Sequence, residues 1–98
     1  MSFKNAIYKY PLFLGSCLED RGQEIKVPDS FQPLSIQIQA GELVLWGSLQ
    51  TDRQLPERKI RVKAVGTGME YPITFDKDSY LTTIQGGVFV WHFFIKEF

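Results

Sequence analysis

Tyr80-Leu-Thr-Thr-Ile-Gln-Gly86-Gly87-Val-Phe-Val-Trp91-His92-Phe-Phe-Ile95 decides the architecture of this chain. Two β-rich runs meet at a glycine pair, and primed hairpin turns need a positive φ that glycine adopts without steric cost. The returning run is apolar on both faces. Val88, Val90, His92 and Phe94 alternate with Phe89, Trp91, Phe93 and Ile95. Such a strand belongs in the middle of a structure, with a sandwich core on one side and a second layer or a partner subunit on the other.

Period-two alternation continues upstream, as half-buried strands require. Residues 6–10 read as a strand ended by Pro11, and residues 24–27 as a short strand stopped by Pro28. Residues 34–39 alternate, with Leu34, Ile36 and Ile38 inward. Ala40-Gly41 turns the chain into a partner strand at 42–47. Residues 59–65 alternate again, with Ile60, Val62 and Ala64 inward and Arg61 and Lys63 outward. Residues 71–75 read as an edge strand because Pro72 interrupts them, and residues 49–58 as a polar connecting loop and the most mobile one. The only helical signal is a weak one at 18–23, opposed by Gly22. The expected fold is all-β: a small antiparallel sandwich or partly open barrel of about seven short strands, in one domain spanning residues 1–98.

Composition narrows the function classes. The 98 residues carry 11 basic and 11 acidic side chains, so the basic excess of generic nucleic-acid binders is missing. Aromatics reach 14%, eight of them Phe, which in a small β-domain fill a core or build an interface. Cys17 is the single cysteine and rules out an intrachain disulfide. Residues 1–5 lack an apolar signal core and no run is long enough to span a bilayer, so a cytoplasmic location without membrane attachment is expected. The two-faced last strand, the zero net charge and the aromatics together favour a homodimer, the alternative being one sandwich with a covering loop such as residues 12–23.

Two constellations are candidates for binding. Gly66-Thr67-Gly68 can expose backbone N–H groups as an anion nest, preceded by Arg58, Lys59, Arg61 and Lys63. No Walker pattern follows it, and a strand-ending turn beside a solvated face explains the same residues. Tyr8, Tyr10, Trp46, Trp91 and His92 form the second set. Strand aromatics can stack a nucleotide base, but more often they are core or interface, and Trp91 alternates with Phe89 and Phe93. Cys17, His92 and the scattered acids have no metal-ligand spacing, and no Gly-x-Ser-x-Gly elbow occurs, so neither a metal, a cofactor nor catalysis is expected.

Several motifs recur in a set order: Tyr8-Lys-Tyr-Pro-Leu12, Ile25-x-Val-Pro28, Ser35-Ile-Gln-x-Gln39 before Gly41 and Leu45-Trp46, Gly66-Thr-Gly68, and Gly86-Gly-x-Phe-Val-Trp-His92. In these the chain resembles a family of small proteins of unknown function found mainly in bacteriophages and prophages. The resemblance carries over no catalytic residue. It implies a small β-protein made during infection that acts by binding and blocking. The expectation is a non-catalytic accessory protein countering a bacterial defence system, by binding an effector protein or by sequestering a nucleotide signal. The alternative is a structural or assembly component of a phage particle.

Overall fold

Two tight turns set the strand register. In the computed structural model, which describes residues 4–51 and 56–97, Ala40 (φ 51°) and Gly41 (φ 79°) both lie in the left-handed region and close the rung Gln39–Glu42. That is the type I′ pattern. The last hairpin turns on Gly87-Val88 rather than on the glycine pair. Gly86 opposes Phe89 as its final rung, and only Gly87 has a positive φ (63°). A glycine at the first central position fits a type II′ turn, so the turn sits one residue later than the sequence reading centred it.

Seven strands result among the described residues: β1 (Asn5–Leu12), β2 (Gln23–Pro28), β3 (Gln32–Gln39), β4 (Glu42–Gln50), β5 (Glu57–Gly66), β6 (Tyr80–Gly86) and β7 (Phe89–Glu97). A short helix, α1 (Leu14–Leu18), follows β1, and a 3-10 turn covers Lys77–Ser79. All pairings are antiparallel, in one sheet ordered β1-β4-β3 and another ordered β2-β5-β7-β6. The fold is an all-β sandwich, not a closed barrel.

The core joins the facing sides of both sheets. Leu12, Ile36, Leu45 and Leu49 come from the first; Val27, Ile60, Val62, Ala64 and Phe93 come from the second. Each of these Leu, Ile, Val and Phe side chains, fully buried, contributes about 1.5–3 kcal/mol. Phe31, from the β2–β3 connection, packs against Gly47, where a Cβ would fall 2.0 Å from its Cε1. Only glycine leaves room for that ring.

Part of the far side of the second sheet is covered by the chain itself. Val65 and Phe94 are buried beneath Phe75, and Tyr71 stacks on Phe94 with centroids 4.9 Å apart. This accounts for the two-faced apolar pattern of β7 within one chain. Residues 71–75 are therefore not a strand: they fold as a turn, with Phe75 N–H donating to Pro72 O, and act as a lid.

Other local expectations change. Pro11 lies inside β1, at an edge position where its missing N–H costs no rung. The helix occupies residues 14–18, and Gly22, at φ 72°, turns the chain into β2. Leu34 sits in a bulge between Pro33 and Ser35 and is half exposed, as is Ile38. Lys63, expected outward to solvent, is 3% exposed because α1 packs over it and Leu18 O accepts from its Nζ at 2.7 Å. Of the expected loop at 49–58, residues 49–50 complete β4, 57–58 begin β5, and 52–55 lie outside the described residues.

Candidate functional site

At the end of β5 the backbone tightens. Gly68 takes φ 86° and Met69 N–H donates to Gly66 O at 3.0 Å. This turn brings Thr67 back over β7, where its Oγ1 lies 2.8 Å from His92 Nε2. His92 opposes Val65 on β5 and Thr83 on β6. That register puts Thr83 Oγ1 3.0 Å from His92 Nδ1, and the Tyr80 hydroxyl lies 2.6 Å from Thr83 Oγ1. Thr67, His92, Thr83 and Tyr80 thus form one polar chain that joins the turn after β5 to β7 and β6. Thr67, His92 and Tyr80 line a cleft of about 260 Å³ whose walls include Met69, Tyr71 and Phe94.

Both imidazole nitrogens face hydroxyl groups, which donate or accept as either tautomer requires. The network fixes the ring plane without fixing its proton. In the Ser-His-Asp arrangement a carboxylate sets the tautomer instead; here Thr83 holds that position.

On the other side of the Gly66–Gly68 turn lies a second hollow, lined by Met69, Val88, Phe89 and Trp91. Its rim is apolar and open: Val88 is 91% exposed, Phe89 60% and Met69 51%. Phe89 stacks on Trp91, with centroids 5.6 Å apart and planes 26° from parallel. A hydroxyl–imidazole chain therefore lies beside an exposed aromatic and aliphatic rim at one end of the four-stranded sheet.

This geometry gathers only part of the residues expected from sequence. Thr67 and His92 touch, and Trp91 lines the neighbouring hollow from the core-facing side of β7. Arg58 sits at the opposite end of β5, about 30 Å away at strand rise. There its guanidinium donates to Phe31 O and pairs with Glu97. Arg61 and Lys59 pair with Glu24 at 3.0 and 4.0 Å, and Lys63 is held by Leu18 O. Tyr8 and Tyr10 belong to β1 in the other sheet, where Tyr10 meets Phe31 edge-on. Trp46 lies on that sheet's outer face beneath Lys9, whose Nζ is 5.9 Å from the ring centroid.

Against known proteins, the model of a domain of unknown function, DUF7352, matches residues 3–98. The chain belongs to that family. No curated protein and no solved structure matches it. For this DUF7352 chain the site therefore rests on its own geometry. Among the described residues no cluster of His, Cys, Asp and Glu is arranged to hold a metal ion, and no helix is long and apolar enough to cross a membrane. Sequence reading missed Thr83, Tyr80, Met69, Val88 and Phe89 as site residues. The signal for Thr83 was present in the hairpin: a turn centred on Gly87-Val88 places it opposite His92.

Proposed function

We propose that this chain is a non-catalytic binding protein, a phage accessory product that counters a bacterial defence system by docking on an effector protein. The observation that carries this reading is the exposed Met69–Val88–Phe89 rim beside the His92 chain. Exposed aromatic and aliphatic anchors around a few ordered polar groups are what protein hot spots are made of. The nucleotide-sequestering form asks for cations that converge on an aromatic. Arg58, Lys59, Arg61 and Lys63 instead face carboxylates and carbonyls at separate places along β5.

The test pairs two measurements. Affinity capture from infected cells, with the wild-type chain and with Phe89→Asp as bait, should recover a host effector that the variant loses. A hot-spot anchor predicts an affinity drop of about 30-fold or more, near 2 kcal/mol. Circular dichroism should show the variant folded, since Phe89 is mostly exposed. Native mass spectrometry with a panel of cyclic nucleotides should show no bound ligand. A stoichiometric nucleotide adduct refutes the protein-docking reading, and presence of the chain in purified particles moves it to the assembly role.

A further inference from the structure

The hydrogen bonding of β1 shows which way its backbone faces. Lys4 O accepts from Thr51 N–H at 3.1 Å, across the strand pair that β1 makes with β4. Antiparallel rungs alternate, so Ala6, Tyr8, Tyr10 and Leu12 bond to β4, while Asn5, Ile7, Lys9 and Pro11 turn their N–H and C=O groups to the open edge. Pro11 confirms this parity: its carbonyl faces away from β4 and accepts from Gln23 Nε2 at 3.2 Å. Among the described residues no strand pairs with that edge.

The other edges are blunted in the ways natural sheets use. β3 carries Pro33 and a bulge, β6 a bulge between Tyr80 and Thr82, and β2 carries Lys26 and ends in Pro28. β1 pairs with β4 from Asn5 to Leu12 without a register shift. Its one charge is drawn off the edge, since Lys9 Nζ reaches back across the sheet over Trp46 and donates to Gln39 Oε1 at 3.1 Å.

We propose that this edge binds β1 of a second copy of the chain, antiparallel about Ile7, joining two three-stranded sheets into one continuous sheet. The register is self-complementary. Ile7 opposes Ile7, and each Lys9 opposes Asn5 of the other copy, which keeps the two lysines apart. Asn5, Ile7 and Lys9 then exchange about six hydrogen bonds, and Pro11 falls outside these rungs, so its missing donor costs nothing. The Ile7 side chains, 64% exposed in the single chain, cover each other on the outer face. Tyr8, 50% exposed, crosses to Ala6 of the second copy on the inner face. Zero net charge leaves no global repulsion to oppose the pairing. This assembly is independent of the His92 end of the molecule, which belongs to the other sheet.

The register is open to a direct test. In a hydrogen-bonded antiparallel pair the facing Cα atoms lie about 5.5 Å apart, within disulfide range. Ile7→Cys should therefore oxidise to a covalent dimer, whereas Lys9→Cys, facing Asn5 of the other copy, should not. The native Cys17 is fully buried and does not compete. Native mass spectrometry of the unmodified chain should show a dimer, and Ile7→Lys, which opposes like charges across the two-fold, should weaken it about tenfold. A monomer at all concentrations overturns the proposal. So does a dimer indifferent to Ile7→Lys, or one that cross-links equally through Lys9→Cys. A monomer that binds an extended peptide along β1 would make the edge a receptor for a foreign strand and refute self-pairing.

Discussion

Cys17 and Lys63 share the space beneath α1, and each is displaced from its ordinary titration range. Burial pushes the Cys17 thiol up to about 12, with the nearby Lys63 ammonium acting in the opposite direction. Burial also lowers Lys63, against weaker opposition from Asp20 and Cys17. The two have opposite consequences for stability. Between pH 9 and 12 the unfolded chain gives up the thiol proton that the folded chain keeps, so the Cys17 contribution is whole below pH 9 and is lost as pH rises. A shift of that size corresponds to a loss of up to about 4 kcal/mol. Lys63 works the other way: the unfolded chain holds a proton that the folded chain releases, so its contribution grows as pH rises toward 10.5. Tyr10, raised by burial and by Tyr8 and Glu57, adds to the fall above pH 10. Urea unfolding between pH 8 and 11 should therefore show stability falling above pH 9, and Cys17→Ala should make that fall shallower. The native thiol should also resist Ellman's reagent at pH 8 and react once the chain unfolds. Rapid labelling of the folded protein would mean that the thiol is not buried as described.

At the scale of elements, the turn between β3 and β4 holds a residue in the wrong chemistry. Ala40 adopts φ 51°, a left-handed conformation that costs a β-carbon residue about 1 kcal/mol. Type I′ turns favour Asn-Gly at these two positions. Ala40→Asn should stabilise the protein by about 0.5–1 kcal/mol, visible as a rise in melting temperature of several degrees. An unchanged or lower melting temperature would show that this turn is not type I′ in solution. The same hairpin shows what was legible in the sequence. Alternation located β3, β4 and β5 because the inner side chains Ile36, Leu45, Ile60 and Val62 repeat at every second residue. It was silent about what covers a second face. Residues 71–75 look strand-like, yet Pro72 and the need to bury Phe94 make them a lid, and α1 hides Lys63 in the same way. Half of the candidate site was legible for a related reason. Thr67 and His92 stood out as residue types, but their partners depend on hairpin register. Centring the turn on Gly86-Gly87 would put Val90 opposite Thr83; the observed turn at Gly87-Val88 puts His92 there.

For the whole molecule, the question is what keeps two separate sheets in one arrangement. On one side β3 and β6 approach, with Ile38 near Gly86. On the other side Gln23 links them by hydrogen bonds. Gln23, the first residue of β2, accepts from Phe13 N–H at 2.7 Å and from the Cys17 thiol at 3.6 Å. Its Nε2 donates to Pro11 O, so one amide joins the end of the first sheet, the start of α1 and the edge of the second. Gln23→Ala should leave these groups without their partner and lower stability by about 1 kcal/mol, since the bonds to Phe13 and Pro11 are exposed and only the weak thiol contact is partly buried. Gln23→Glu separates the two roles. The carboxylate still accepts from Phe13 N–H but cannot donate to Pro11 O, and it adds repulsion against that carbonyl. It should therefore not rescue stability, and its deficit should shrink at acid pH as the carboxyl regains a proton to donate. Denaturant unfolding of the variants at pH 7 and pH 4, each compared with the parent at the same pH, decides the matter. If Gln23→Ala unfolds with the parent's midpoint, the amide contributes nothing to holding the sheets together and is an ornament of the surface.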